Sequence, residues 1–256
     1  MILSSAGGEK MESYTHFAKV YDTFMDNIPY ADWINYLLRL FEKYGIDYKE
    51  LVELGCGTGT VTNMLCAKGY KLTGVDNSSD MLLVAKEKNN KANITYINQD
   101  IRELELSKKY NVMFSICDTM NYMPCEYDLL RTLQAVYNGL NVGGWFIFDL
   151  KTEYYYANTL GDTVLVDNRE ECSYIWENSF DRETKVNSYD LTMFIKEGDG
   201  YQRFKEFHEQ MAFSRKQIKQ CIAMAGFKLM GEFEAFTFKK PGKKSERLYY
   251  ILRKEN

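Results

Sequence analysis

Proline and histidine are scarce in this chain, with three and two among 256 residues. Two histidines, and six cysteines that never fall in a Cys-x-x-Cys spacing, leave no ligand set of the kind a zinc site needs. No apolar run reaches the roughly 18 residues that span a bilayer. The opening Met-Ile-Leu-Ser-Ser-Ala-Gly-Gly-Glu-Lys lacks the basic flank and apolar length of a signal peptide. Without a secretory context, the cysteines at 56, 66, 117, 125, 172 and 221 read as reduced thiols of a cytoplasmic protein. Positive charge is short as well. The net charge is −4 and no long Lys/Arg run occurs, which argues against nucleic acid as the main partner. The one basic cluster, from Lys239 to Arg247, reads as a solvated turn.

What the chain does contain is an alternation of strand-like and helix-like segments. Trp33, Ile34, Leu37, Leu38 and Phe41 form a helical stripe within 30–44, stopped by Gly45. Strands are expected at 51–54, 71–75, 94–97, 112–117 and 145–150, with helices at 58–68, around Met81 to Ala85, and from Pro124 to Leu140. Strands separated by helices imply right-handed crossovers and a mostly parallel sheet. After Lys151 the rhythm changes. Cys172, Tyr174, Trp176, Asn178 and Phe180 alternate onto one face, as do Tyr189, Leu191, Met193 and Ile195. Turn signals at Asp181-Arg182 and at 197–200 separate these runs, so an antiparallel sheet is expected here. A helix capped by Ser214 and a closing hairpin turned at Pro241-Gly242 complete the chain.

The chemistry concentrates at residues 50–59, Glu-Leu-Val-Glu-Leu-Gly-Cys-Gly-Thr-Gly, and at Asp76, which ends the next strand. This pattern describes a strand, a tight glycine turn open to a ligand, a helix, and a second strand tipped by a carboxylate that can accept both hydroxyls of a ribose. A dinucleotide fingerprint wants Gly-x-Gly-x-x-Gly, yet its third glycine place holds Thr60, and the glycines fall at 55, 57 and 59. Glu53 would repel a pyrophosphate but could hold a cation. A ligand with a ribose, an ammonium and a sulfonium suits both acids.

The stretch strongly resembles the first motif of class I S-adenosylmethionine-dependent methyltransferases. That resemblance covers roughly residues 12–150 and 205–254, and it implies a Rossmann-like seven-stranded α/β fold, doubly wound, with one reversed strand and an inserted antiparallel lid sheet. The core would comprise 11–154 and 205–256, the substrate or lid insert 155–204, and residues 1–10 a flexible tail. In this reading Asp76, followed by Asn77, takes the ribose hydroxyls, and Asp100 accepts from the adenine amino group. The backbone of Ile101 addresses the adenine ring, and Met81 packs on its face. Gly55, Cys56, Gly57 and Gly59 admit the methionine moiety. The Cys117 carbonyl, next to Asp118, and the Glu53 carboxylate hold the ammonium. Tyr14 and Tyr21 are candidates for an aromatic lid near the N-terminus. Some of the 20 tyrosines and 15 phenylalanines could line the acceptor pocket, since sulfonium and acceptor groups pack well against aromatic faces.

No general base declares itself, and no metal is expected. Glu206, His208 and Gln210 alternate onto one face of a strand; if it lines the cleft, His208 is the best base or orienting group. The preferred expectation is that this face meets water. His16 is a weaker candidate. After the fourth strand stand Cys117-Asp118-Thr119-Met120-Asn121-Tyr122, in place of the Asn-Pro-Pro-Tyr of many nucleic-acid and glutamine N-methyltransferases. The sequence therefore points to a methyltransferase of a small-molecule acceptor. Its rivals are a non-catalytic module that binds adenosylmethionine, a tRNA or protein methyltransferase, and, disfavoured by Thr60, a nicotinamide-dependent oxidoreductase. Oligomeric state is not legible.

Overall fold

The computed structural model describes residues 17–88 and 93–255. Strand β1 (Glu50–Leu54) lies in the middle of a seven-stranded sheet. Its Leu51, Val52 and Leu54 are wholly buried, as a parallel strand covered on both faces requires. It pairs in parallel with β2 (Lys71–Asp76) on one side and β4 (Tyr110–Ser115) on the other. Beyond β2 lies β3 (Ile94–Asn98), and beyond β4 lies β5 (Leu140–Lys151), both parallel. The closing hairpin is β10 (Lys228–Glu234) and β11 (Arg247–Arg253), in the order β10-β11-β5-β4-β1-β2-β3. Only β11 runs against its neighbours, because it is antiparallel to both β5 and β10. The chain order reverses between β1 and β4, which opens a crevice at their carboxyl ends.

Helices cover both faces. On one side α2 (Tyr30–Tyr44) and α3 (Thr60–Ala67) bury Trp33, Ile34, Leu37, Leu40, Val61 and Leu65 against the sheet. Gly45 ends α2 in the left-handed conformation, as the sequence implied. On the other side α5 (Glu126–Gly139) and α6 (Arg215–Met224) contribute Leu129, Leu133, Val136, Ile218 and Ile222. Ser214 and Gln217 close a reciprocal capping box at the start of α6. The shorter α4 (Ser79–Lys88) follows β2, and α1 (Phe17–Phe24) precedes the core. Strand β5 is longer than expected, because Gly143 and Gly144 lie within it, beside the β4 register shift.

A four-stranded antiparallel sheet follows β5: β6 (Val164–Asn168), β7 (Cys172–Phe180), β8 (Val186–Glu197) and β9 (Gly200–Met211). Strand β9 continues to Met211, so a division of the chain at 204 falls inside it. The inward side of this sheet packs Cys172, Leu191 and Met193 against Ala18, Val20 and Phe24 of α1 and Met81 of α4. It thereby covers the carboxyl edge of the larger sheet.

Candidate active site

The turn after β1 is built on glycines in left-handed conformations, with φ of 75° at Gly55, 52° at Gly57 and 73° at Gly59, which precedes α3. The N–H groups of Gly55 and Cys56 donate to the Val75 carbonyl at 2.7 and 3.0 Å, drawing the turn across to β2. At Gly55 a Cβ would stand 2.3 Å from Thr119 Cγ2, so the protein's own packing demands glycine there. At Gly57 a Cβ would meet nothing within 4 Å. That glycine leaves an approach to the backbone open.

Asp76 reaches back to the same turn. Its carboxylate accepts from the Gly57 N–H at 2.8 Å and from the Ser78 N–H at 2.9 Å. Burial raises its pKa, against those bonds. The Asn77 backbone N–H is a third donor to it, and since a carboxylate has about four lone-pair sites, acceptor capacity remains for a further donor such as a ribose hydroxyl. Asn77 beside it is exposed. Glu53 is 4% exposed and accepts from the Thr62 hydroxyl. Burial, with a contribution from nearby Asp76, pushes its pKa up to about 8. A neutral acid in this position is one that an arriving cation would ionise.

At the end of β4 the backbone is strained. Cys117 and Asp118, neither of them glycine, both take positive φ, 64° and 59°. Buried ion pairing holds them there. The Asp118 N–H donates to Asp149 at 3.1 Å, and its carboxylate accepts from Arg247 at 3.0 Å, from Lys151 at 3.0 Å and from Gln210 at 2.9 Å. Arg247 also donates to Asp149 and lies 4.5 Å above the Trp33 ring. Burial works to raise the Asp118 pKa, but Lys151 and Arg247 pull it down to about 2. Asn121 fastens this corner, donating to the Lys151 and Met211 carbonyls at 3.1 and 2.9 Å.

The polar face of β9 does not meet water. Glu206, His208 and Gln210 are 5%, 7% and 2% exposed, which overturns the preferred expectation for them. The alternation was right, but its inward side turns to the strand ends, where Gln210 meets Asp118. The Gln210 oxygen accepts from the Tyr156 hydroxyl at 2.7 Å and from that of Tyr189. His208 Nε2 lies 3.1 Å from Glu206, and its ring meets Tyr122 edge-on at 6.2 Å.

The other expected residues are more dispersed. Asp100 caps a short 3-10 helix and is paired with Arg102 at 2.9 Å, while Ile101 is buried in the core. Met81 sits in the contact between α1, α4 and the smaller sheet. Tyr21 packs there too, hydrogen-bonded to Tyr30, with its phenol pKa raised chiefly by burial. Tyr14 and His16 lie outside the described residues. Asp22, one step along α1, accepts from the Thr58 hydroxyl at 2.7 Å and from Lys88 at 2.7 Å, so α1 is tied across the glycine turn.

Comparison with known proteins agrees with this geometry. A family model described as a methyltransferase domain matches residues 51–144. YqeM of Bacillus subtilis, a methyltransferase by name, is 30% identical over 243 residues, covering 94% of this chain and 97% of that protein. A second methyltransferase by name, from Geobacillus sp. strain WCH70, is 31% identical over 94% of this chain and 100% of its own length. The chain belongs to the class I S-adenosylmethionine-dependent methyltransferases. A solved methyltransferase of this kind from Clostridium acetobutylicum ATCC 824 superposes with a TM-score of 0.83 at 28% identity, covering 95% of this chain and 99% of that one. Streptomyces venezuelae DesVI, at 20% identity and a TM-score of 0.76, shares the fold.

Within this methyltransferase fold, three functional candidates escaped sequence reasoning. Arg247 was hidden in a basic cluster whose Lys239, Lys240, Lys243 and Lys244 are indeed exposed, whereas Arg247 itself is half-buried and paired with two carboxylates. Asp149 and Lys151 closed an apolar strand. A buried strand has no cheap place for an acid, so Asp149 within 145–150 was a signal.

Proposed function

We propose that adenosylmethionine binds along the carboxyl ends of β1, β2 and β4, and that a small-molecule acceptor is held beneath the four-stranded sheet. The observation that carries this is the Gly57–Asp76 pairing, a side-chain-free turn latched by a carboxylate with acceptor capacity to spare. The residues fit the cofactor. Asp76 would take the ribose hydroxyls, the open face at Gly57 would admit the methionine portion, and Glu53 would ionise against its ammonium. Asp100, Ile101, Met81 and Asn77 would bound the adenosine side, with Tyr21, and Tyr14 beyond the described residues, closing over it. When bound, the cofactor supplies an electrophilic methyl group on a sulfonium.

The protein's part is alignment and exclusion of water. The Asp118–Arg247–Asp149 network fixes the Cys117 turn beside the methionine end. His208, held by Glu206, faces the cleft and would orient the acceptor or take its proton. Tied by Asp22 to the glycine turn and through its Thr23 carbonyl to Arg169 at 2.6 Å, between β6 and β7, α1 joins core and covering sheet. The net charge of −4 favours a small acceptor over a polyanion such as tRNA. All six cysteines are free thiols, which supports a reducing, cytoplasmic setting. Calorimetry tests the reading: adenosylmethionine and adenosylhomocysteine should bind in the micromolar range, about −7 to −8 kcal/mol. Binding of NAD with neither of these would sink it.

A further inference from the structure

The covering sheet holds buried polar atoms that the chain itself does not satisfy. In-register pairing places Asn178, Tyr189 and His208 on one rung, with Asn187 on the rung before and Trp176 on the rung after. Directly opposed residues of antiparallel strands share a side, and the alternating burial marks this side as inward. Asn187 is 0% exposed and Asn178 is 6% exposed. Among the described residues, Asn178 Oδ1, Asn187 Oδ1 and Trp176 Nε1 are buried without a hydrogen-bond partner. Asn178 donates its amide N–H to the Thr163 carbonyl at 3.1 Å, which fixes its oxygen as the idle atom. Asn187 reaches only the Ser188 carbonyl, at 3.5 Å.

Native proteins keep few such atoms, because each destabilises the fold that holds it. Here three lie on neighbouring rungs. Asn178 and Asn187 are diagonal neighbours, about 7–8 Å apart in a sheet, and Trp176 lies two residues along β7 from Asn178, so a molecule lying along these three successive rungs meets all three. Their chemistry is specific. The two amide oxygens need O–H or N–H donors, and the indole N–H needs a lone pair. A hydroxyl answers both. The inward positions of β7, β8 and β9 carry the acid Glu206 but no Lys or Arg. An acidic ligand would meet repulsion there.

We infer that this face binds the methyl acceptor, and that the acceptor is an uncharged or cationic hydroxylated small molecule. The inference rests on the cofactor reading above. The test uses the full chain saturated with adenosylhomocysteine, titrated with myo-inositol and glucosamine as hydroxylated probes. Malonate and glucose 6-phosphate serve as anionic counterparts. At least one hydroxylated probe should bind at millimolar concentration, and neither acid should. Asn187→Leu should raise the melting temperature of the free protein and weaken the probe at least tenfold, with adenosylhomocysteine affinity within twofold. Trp176→Phe, which deletes the idle donor but keeps a ring, should weaken the probe similarly and covers the case in which the first variant does not fold. Binding of the acids alone, of neither hydroxylated probe, or of the probe with unchanged affinity to both variants overturns the inference. Failure to bind adenosylhomocysteine itself overturns the cofactor reading, and this inference with it.

Discussion

Along β1, β4 and β5 the buried positions are filled by Leu51, Val52, Val112, Met113, Phe114, Phe146, Ile147 and Phe148. Along β8 and β9 the inward positions mix Leu191 and Met193 with Asn187, Glu206, His208 and Gln210. Burying a large apolar side chain contributes about 1.5–3 kcal/mol, so the larger sheet is a rigid frame whose strand ends stand at fixed places. The smaller sheet gives up part of that contribution for directional groups. A frame suits a cofactor shared by a whole family, whereas directional groups suit one acceptor. On the function proposed above, the methyltransferase separates holding the cofactor from choosing what is methylated.

The comparison breaks most visibly at His208. Replacing it with Gln should lower turnover by about 10²–10⁴-fold if it handles the acceptor's proton, and leave adenosylhomocysteine affinity unchanged. Equal loss of both would mean that the two sheets do not divide the labour. Arg247→Met tests the joint between them. Asp149 would be left buried without a cation and Asp118 with Lys151 alone, so stability to urea should fall by about 3–5 kcal/mol.

On the frame side, Asp76→Ala should weaken cofactor binding by about 2–4 kcal/mol. It should also cost stability, because Gly57 and Ser78 lose their acceptor. Gly57→Ala is subtler. The left-handed conformation costs an alanine about 1–2 kcal/mol, and no neighbour resists the methyl group, yet that group would block the approach to the turn. Cofactor affinity should therefore drop by more than stability does; a melting shift with normal affinity would show that nothing approaches there.

The smallest effect concerns pH. Glu53 keeps its proton in the folded chain up to about 8, against a reference value of 4.5. The folded state therefore binds more protons between those values, and this group makes stability fall as pH rises through that window. Glu53→Gln should flatten the slope. If the cofactor's ammonium ionises Glu53, binding at pH 7 releases a proton, which calorimetry in buffers of different ionisation enthalpy will register. No buffer dependence would separate Glu53 from the ammonium.

Much of the frame was readable from pattern. The stripe of α2, the glycine turn, Asp76 at the tip of β2, and the Ser214 cap depend on residues close in the chain, where local sterics and capping decide the outcome. The alternation in β7, β8 and β9 was equally plain. Which side of it faces inward was not, since Glu206, His208 and Gln210 look alike to solvent and to a polar cleft. The burial of His208 depends on β9 lying over the end of β4, where Gln210 finds Asp118.

By itself, then, the sequence determined the family and the strand edge where the cofactor is proposed to bind, because a short glycine turn and a strand-end carboxylate work within one βαβ unit. Only tertiary structure could decide the rest. Arg247 meets Asp118 across 129 positions of chain, and Gln210 meets it across 92. Charges so distant pair only when closure of β11 beside β5 and the folding of the smaller sheet onto the strand ends bring them out of water together. No local periodicity encodes that meeting.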